Sequence, residues 1–418
     1  MLRPFRCLSA VTALVLLAGC GDSTGPAPGE PILALPRDLS VAEGKLIQAD
    51  NRFALKLFRE VNAQVGDSNI FVSPLSVAMA LGMTYNGAAG ATQQAMQETL
   101  ELQGMTLDEV NHSYRDLIDL LRNLDPLVEF LIANSIWYRN TITFEQAFLD
   151  VNRQFFDAVI RPLDFNNPTA GQTINAWVSE NTKGKIKEIV PVQIPADIIM
   201  YLINAIYFKG DWTYQFDKGL TAPGSFSLKG GSRVTAEMMW HDEPAGVGYF
   251  RGDGVTVLDL PYGGRAFSMT LLVPDDADGV GAVVGMLNNE AWTAWTAGLD
   301  SAGIVVSMPK FKLEYKSRLN SALKVLGMAT AFCDVGPANF TKLRAVGDAC
   351  VSYVDHKAYV DVNEEGTEAA AVTVVAIGET IAGGPPILIV DRPFVFVIRE
   401  KFSGTILFMG KLMDPTVG

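Results

Sequence analysis

The 418-residue sequence has few of the side chains that most enzymes use for chemistry. Its three histidines are His112, His241 and His356, and none lies in an H-E-x-x-H pattern or a Cys/His cluster with zinc spacing. A P-loop and a dinucleotide-binding fingerprint are also missing. We therefore expect a protein that is not an enzyme and that uses neither a metal nor a cofactor.

Clusters of positive charge are absent as well. The chain has 33 Lys and Arg against 46 Asp and Glu, which gives a formal net charge of −13. Residues 108–125 contain only Arg115 and Arg122 as cations, so they provide no polyanion-binding helix. Nucleic acid is therefore not an expected partner.

Cysteine is scarce, with four in the whole chain and two of these among the first 20 residues. Cys333 and Cys350 remain for the folded domain. In an oxidising compartment they could close a surface loop, which would stabilise the fold by roughly 3 kcal/mol. The sequence leaves open whether they pair.

The chain begins with a targeting segment. Two arginines precede an apolar run over residues 8–17, and L-A-G-C follows, ending at Cys20. This pattern predicts a lipoprotein signal peptide over residues 1–19, with Cys20 as the lipidated N-terminus; a plain secretory signal or an uncleaved anchor is the alternative. Acylation with more than one chain would hold the protein on a membrane, at the cell envelope or cell surface.

Residues 20–36 are rich in Gly, Pro, Ser and Ala, which predicts a flexible tether. They include G-D-S-T-G around Ser23, a formal match to the hydrolase pattern G-x-S-x-G. That chemistry requires the serine on a turn between a strand and a helix, and the flanking residues supply neither, so a lipid-anchored hydrolase is a remote alternative. No second linker follows, and residues 37–418 are expected to form one large domain.

Periodicity gives a partial account of that domain. Apolar residues at helical spacing predict an amphipathic helix over residues 51–62, and alternation predicts a strand over residues 127–138. Residues 198–208 are almost wholly apolar and predict a central strand covered on both faces. Asn204, the polar exception in this strand, must find a hydrogen-bonding partner there.

The most informative stretch is residues 364–386, E-E-G-T-E-A-A-A-V-T-V-V-A-I-G-E-T-I-A-G-G-P-P. Gly366 comes before three alanines and a β-branched run, and a Gly-Gly-Pro-Pro breaker ends the stretch in a loop. Alternate residues from Thr367 to Ile377 form one uncharged face. These residues alone predict either a strand with no obvious partner or, equally well, an Ala-rich helix or an ordinary buried strand.

The wider segment V-N-E-E-G-T-E-A-A-A-V-T resembles the reactive-loop hinge of serpins, a family of protease inhibitors. Residues 391–415, D-R-P-F-V-F-V-I-R-E-K-F-S-G-T-I-L-F-M-G-K-L-M-D-P, resemble the two C-terminal strands of that family. The resemblance covers residues 37–415. It implies an α+β serpin fold, with a large central mixed β-sheet, further sheets, about nine helices and an exposed reactive-centre loop over residues 364–386. It also implies a monomer.

Further motifs carry the resemblance into the middle of the chain, N-I-F-V-S-P-L-S within residues 69–92 and N-A-I-Y-F-K-G-D-W at residues 204–212. Locally, the first motif predicts a strand that enters a helix, with Ser73 as the N-cap and Pro74 at the first helical position. Within residues 173–191, a helix is predicted that ends near Gly184. This helix and the connection after it look like the family's helix across the front of the main sheet, which is a plausible gate. Trp212 falls in the breach, under the point where the loop inserts, although ordinary core packing would also explain it. The implied hinge is Glu364, Glu365, Gly366, Thr367, Glu368, Ala369, Ala370, Ala371, Val372 and Thr373, and the implied shutter is Ser73, Ser76, Asn204 and His356.

In this family the loop is a suicide substrate for a serine protease or, as a second class, a cysteine protease. The protease is trapped as an acyl-enzyme when the cleaved loop inserts into the sheet. Counting from Glu364 places the reactive bond between Thr380 and Ile381, with cleavage after Glu379 or Ile381 as alternatives. Thr380 or Ile381 would suit elastase-like or subtilisin-like proteases, and Glu379 a glutamate-specific one. A serpin-fold protein that binds without inhibiting is the alternative function.

Overall fold

A computed structural model describes residues 30–367 and 386–418. The predicted signal peptide and Cys20 lie outside the described residues. So do the hinge residues 368–373 and the reactive-bond residues Glu379, Thr380 and Ile381. The roles assigned to them stay predictions.

The described residues contain nine α-helices and one short 3-10 helix, Met328–Ala331. The first helix is longer than predicted, because Ser40 and Glu43 form a capping box at its start and Gly66 ends it at a positive φ of 61°. None of these helices is long and apolar enough to span a membrane. The helices are α1 (Val41–Val65), α2 (Pro74–Tyr85), α3 (Gly90–Thr99), α4 (Leu107–Asn123), α5 (Gln146–Phe156), α6 (Ala170–Asn181), α7 (Val280–Met286), α8 (Asn289–Ala297) and α9 (Asn320–Val325).

The strands form two sheets. They are β1 (Ile70–Val72), β2 (Val128–Arg139), β3 (Val159–Leu163), β4 (Met200–Asp211), β5 (Asp217–Ser227), β6 (Arg233–Trp240), β7 (Ala245–Gly252), β8 (Val255–Tyr262), β9 (Phe267–Pro274), β10 (Asp300–Pro309), β11 (Phe311–Arg318), β12 (Asp355–Val362), β13 (Gly366–Thr367), β14 (Ile387–Ile389), β15 (Phe394–Glu400) and β16 (Ile406–Leu412).

The smaller sheet has six strands in the order β11-β12-β13-β4-β2-β3. It is mixed, since β2 and β3 run parallel while the other neighbours are antiparallel. Long ladders join β2 to β4 and β11 to β12, so each pair is well secured. The ten-stranded sheet runs β1-β16-β15-β9-β8-β7-β10-β6-β5, with β14 paired to β10.

The six-stranded sheet is covered on both faces. Its back face lies on the main hydrophobic core, which it shares with α1, α2 and the ten-stranded sheet. Its front face is covered by α6 and the segment that follows, through a separate apolar cluster that includes Trp137, Ile174 and Ile203. This confirms the predicted α+β fold with a mixed central sheet and a buried strand over residues 198–208.

The predicted tether is too long at its C-terminal end. Ile32 is buried in the main core, and its backbone N–H donates to the carbonyl oxygen of Gly264 at 2.7 Å. An apolar side chain and a backbone hydrogen bond therefore fix this residue on the domain. Any flexible tether ends before Ile32.

Candidate functional site

The six-stranded sheet contains a gap between β4 and β12, which we call the slot. In the described ranges no backbone ladder joins β4 directly to β12, and β13 is the strand that pairs with both. The slot therefore separates a left half of the sheet, β3-β2-β4, from a right half, β12-β11. The edge of a sheet is a template for an added strand, and the slot offers one edge on each side.

β13 fills the top of the slot. Gly366 pairs with Asp211 and Thr367 with Gly210 on β4, and Thr367 also pairs with Val362 on β12. A Cβ at position 366 would come within 2.2 Å of the Gly210 carbonyl oxygen, so only glycine fits here. The start of the predicted loop is thus already a strand between two others.

The first four residues of the predicted exposed loop are therefore not exposed. Gly366 is buried in the sheet, and Glu364 and Thr367 are 5% and 3% exposed. The prediction of an exposed loop over residues 364–386 is wrong for residues 364–367, because hydrogen bonds and ion pairs hold them against both halves of the sheet.

Two ion pairs fix the hinge. The Nζ of Lys310 lies 2.9 Å from Oε2 of Glu364, whose Oε1 accepts from the Thr221 hydroxyl at 2.9 Å. Lys218 pairs with Glu365. Burial acts to raise the pKa of Glu364, but the hydrogen bonds from Lys310 and Thr221 outweigh it and keep the pKa below its usual value.

Trp212, the residue predicted to lie in the breach, contacts the segment that leads into β13. Its indole N–H donates to the Asn363 carbonyl at 2.9 Å, and its backbone N–H donates to the Glu365 carbonyl at 2.7 Å. The ring stacks on Tyr262 at 4.4 Å between centroids, and the Tyr262 hydroxyl lies 2.7 Å from Oγ1 of Thr367. Trp212 is both a buried core residue and a direct support for the hinge.

The predicted shutter lies under the slot at the start of α2. Ser73 caps the helix by accepting from the Ser76 N–H at 3.2 Å, as the sequence predicted. The Ser73 N–H donates to Nε2 of His356 at 3.0 Å, and the Ser76 hydroxyl donates to the Asn204 carbonyl at 3.3 Å. One turn of helix thus holds β12 through His356 and β4 through Asn204.

Asn204 differs from the prediction that grouped its side chain with His356. Its amide donates to Oδ1 of Asn134 at 2.8 Å, since the two residues are directly paired in the β2–β4 ladder. The Asn204 Oδ1 is buried and has no hydrogen-bonding partner among the described residues. The residues predicted to form the shutter are therefore divided between the two sides of the slot.

The lower part of the slot is a cavity of about 650 Å³. Its lining includes Ser76, Asn204, His356, Tyr201, Tyr353 and Cys350. Cys350 forms a disulfide with Cys333, with 5.0 Å between their Cα atoms, which answers the pairing question that the sequence left open. The space available below β13 is polar at the shutter and apolar along α2.

The segment after α6 crosses the front of the slot. The Nζ of Lys183 lies 3.0 Å from Oε1 of Glu129 on β2, and the Nζ of Lys185 lies 4.9 Å from the ring centroid of Tyr359 on β12. α6 therefore lies where the sequence expected a gate helix, and its C-terminal segment touches both halves of the sheet.

Sequence reasoning missed several residues of the site. Asn134 carried a signal, since it is a polar residue inside an apolar strand, but Lys310, Lys218, Tyr201 and Tyr353 had none. Their partners lie on other strands, at sequence separations of 54, 147 and 152 residues. Only the strand order of the folded sheet brings these pairs together.

Proteins with similar sequences and structures agree with this geometry. A sequence model of the serpin family, described as serine protease inhibitor, matches residues 48–415, and the chain belongs to the serpin family. Leukocyte elastase inhibitor of Homo sapiens is 33% identical over 380 residues, which cover 89% of this chain and 100% of that protein.

Solved structures show the same fold in family members with different properties. Human thyroxine-binding globulin, solved with its thyroxine ligand, gives a TM-score of 0.79 at 27% identity, over 90% of this chain and 100% of that chain. A cleaved serpin, Serpin 42Da, gives the same TM-score and identity, over 90% of this chain and 99% of that chain. Serpins are protease inhibitors rather than catalytic enzymes, and thyroxine-binding globulin is a family member named for the ligand that it binds.

Proposed function

We propose that this protein inhibits serine proteases as a suicide substrate, with cysteine proteases as a second target class. The observation that carries the proposal is the slot, in which β13 has begun a strand that the sheet can continue downward. The chain continues directly from β13 into the predicted loop. The loop is therefore the natural occupant of the rest of the slot.

The chemistry belongs to the target protease. Its serine attacks the carbonyl carbon of Thr380, the bond to Ile381 breaks, and the new amino group at Ile381 leaves with the C-terminal fragment. Thr380 then remains esterified to the protease. The segment before Thr380 is free to enter the slot, and trapping requires that this step be faster than hydrolysis of the ester.

The slot supplies both the driving force and the distance. A strand in the slot would pair with β4 and β12 at once, along edges that are not paired with each other in the described residues. From residue 368 to residue 380, an extended chain spans about 43 Å. The linked protease would thus be carried from the top of the sheet to its lower end.

The residues around the proposed bond favour elastase-like or subtilisin-like targets. Thr380 and Ile381 are small or aliphatic, and no Lys or Arg lies between residues 364 and 390. The similarity to an inhibitor named for leukocyte elastase supports the same class. Cleavage after Glu379 would instead point to a glutamate-specific protease.

The proposed location is outside the cytoplasm. The pattern ending at Cys20 supports a lipid anchor, and among the described residues, which begin at residue 30, Ile32 is the first that packs in the core of the domain. About eleven residues could then separate the acylated cysteine from the folded domain, or roughly 35 Å when extended. The proposed inhibitor is a monomer held near a membrane surface.

The experiment uses the mature protein and a panel of elastase-like, subtilisin-like, trypsin-like and glutamate-specific proteases. Denaturing gels detect a covalent complex, and mass spectrometry identifies the released peptide. We expect a complex with an elastase-like or subtilisin-like protease and a peptide that starts at Ile381. Cleavage in the loop without a complex, and without a gain in thermal stability, would favour a serpin-fold binding protein instead, as in the thyroxine-binding relative.

A further inference from the structure

The two halves of the sheet are also tied at the lower end of the slot. The hydroxyl of Tyr201 on β4 lies 2.7 Å from the hydroxyl of Tyr353, which leads into β12. In the described ranges no backbone ladder joins these two strands. This side-chain hydrogen bond therefore crosses the slot directly, at the opposite end from β13.

Both tyrosines pack on the front-face apolar cluster, with their ring centroids 6.3 Å apart, and each has further contacts of its own. Tyr201 is buried in the front-face cluster under α6, and its ring lies 5.8 Å from that of Phe165. The guanidinium of Arg318 lies 4.6 Å from the ring centroid of Tyr353 and makes two hydrogen bonds to Asp355, at 2.8 and 3.0 Å. The bond thus connects two anchored rings rather than two mobile side chains.

The register of β13 shows what the added strand would meet at this level. Thr367 pairs with Gly210 on one side and with Val362 on the other, and both pairings are antiparallel. If β13 were extended by nine residues in the same register, position 376 would face position 201 on one side and position 353 on the other. Residue 376 is alanine. A strand extended that far would pass between the two tyrosines. Because neighbouring strands lie about 4.8 Å apart, the backbones of β4 and β12 would then be about 9.6 Å apart.

We propose that the Tyr201–Tyr353 hydrogen bond is a latch that stabilises the resting slot and breaks when the strand reaches its lower end. The two tyrosines are positioning residues that set the rate of insertion. The proposal rests on the proposed inhibitory function. It adds that the Tyr201–Tyr353 pair affects how often the protease is trapped rather than released by hydrolysis. Tyr201 and Tyr353 act here as partners across the slot and have no role in the acyl transfer.

The test compares Tyr201→Phe, Tyr353→Phe and the double variant with the natural protein. Each substitution removes one hydroxyl and keeps the ring. Tyr138→Phe is the matched control, since Tyr138 lies on β2 within the left half of the sheet and its ring packs on Phe144 at 5.3 Å. The protease should be one that leaves a measurable fraction of cleaved, uncomplexed protein.

The number of inhibitor molecules consumed per trapped protease, minus one, equals the ratio of hydrolysis to insertion. We expect each single variant to lower this quantity roughly two- to tenfold, because the lost hydrogen bond stabilises the resting state alone. The double variant should match the singles, since either change removes the whole bond. Melting temperature should fall by about 2 °C in the intact variants and stay unchanged in the loop-cleaved ones.

Three results would overturn the latch. They are unchanged partitioning in both single variants, an equal loss of stability in intact and cleaved forms, and a Tyr138→Phe effect of the same size. These results leave the proposed function standing, provided that the natural protein forms a complex and gains stability on cleavage. A natural protein that does neither would refute the inhibitory function itself, and the latch with it.

Discussion

The backbone N–H of Ser73 donates to Nε2 of His356 at 3.0 Å and thereby joins the start of α2 to β12. Because Nε2 accepts this bond, the neutral ring carries its proton on Nδ1. Burial lowers the pKa of His356 to about 4. A proton on Nε2 would remove the acceptor and place a charge under the slot.

We predict that His356 makes the intact protein less stable as the pH falls. The unfolded ring has its ordinary pKa near 6.5 and the folded ring a pKa of about 4, so the unfolded state binds more protons between these values. The stabilisation that comes from the neutral ring is full above pH 6.5 and is lost progressively as the pH falls toward 4. Urea unfolding at several pH values measures it.

His356→Gln is the variant for this measurement, and His241→Gln is its control. His241 is also buried with a pKa lowered to about 4, but it stacks on Phe216 outside the shutter. Each variant should lose its own part of the slope between pH 6.5 and 4. A His356→Gln profile parallel to that of the natural protein would contradict the assignment.

The Lys310–Glu364 pair gives a second prediction. Lys310→Met keeps much of the aliphatic stem but removes the charge, which leaves the buried Glu364 carboxylate with the Thr221 hydroxyl as its remaining side-chain donor. Since the lysine is 44% exposed, we expect a loss of about 1 kcal/mol in unfolding free energy rather than the full value for a buried pair.

A double-mutant cycle with Glu364→Gln isolates this interaction. The Lys310→Met substitution should cost much less in the Glu364→Gln background, because the charged partner is already absent. Equal costs in the two backgrounds would show that the stem of Lys310, and not its charge, stabilises the hinge.

Thr367→Arg tests insertion directly. Thr367 is 3% exposed and its hydroxyl is bonded to that of Tyr262, so an arginine here would place an unpaired charge inside the sheet. We expect the variant to be cleaved as a substrate, with at least about a tenfold rise in inhibitor consumed per complex. Thr367→Val, which keeps the shape, should still form a complex on denaturing gels. A stable complex with Thr367→Arg would refute insertion past this residue.

The sequence could predict the features that depend on short segments. Ser73 and Pro74 predicted the start of α2, because a serine cap and a proline at the first helical position stand next to each other in the sequence. The apolar run over residues 198–208 indicated a strand buried on both faces. In each case the physical requirement and the residue that meets it lie within a few positions of each other.

The features that could not be predicted depend on strand order. The burial of Glu364 requires Lys310 and Thr221, and the partner of Asn204 is Asn134 because β2 and β4 are neighbours in that register. A charged residue beside a glycine reads as exposed until its counter-ion is known. The same applies to Ile32, whose core contact lies far along the chain.

The disulfide gives a fourth prediction. Cys333 and Cys350 are 17 residues apart, and closing such a loop stabilises the fold by about 3 kcal/mol in the chain-entropy account. Replacing both with serine should lower the unfolding free energy of the intact protein by about that amount. Adding a reductant to the natural protein should give the same loss, and it should leave the double-serine variant unchanged. A reductant effect on that variant would assign the loss to something other than this bond.

A buried carboxyl between α1 and α4 gives a pH dependence of the opposite sign. Oδ1 of Asp50 accepts from the Tyr114 hydroxyl at 2.9 Å, while Oδ2 has no partner among the described residues. Burial raises the pKa of Asp50 to about 7, whereas the unfolded chain has an ordinary value near 3.8. The folded state therefore binds the proton more tightly between these values.

The contribution of Asp50 is full below about pH 3.8 and is lost as the pH rises toward 7, where the carboxyl becomes charged inside the core. Asp50→Asn keeps the shape of the neutral acid and cannot ionise. We expect it to remove this slope and to make the protein more stable than the natural one at pH 8, by roughly 2 to 4 kcal/mol. Unfolding in urea at pH 5 and pH 8 measures both effects. His356 acts in the opposite direction over much of the same pH range, so the informative quantity is the difference in unfolding free energy between the variant and the natural protein. If this difference were the same at pH 5 and pH 8, Asp50 would be charged in the folded protein.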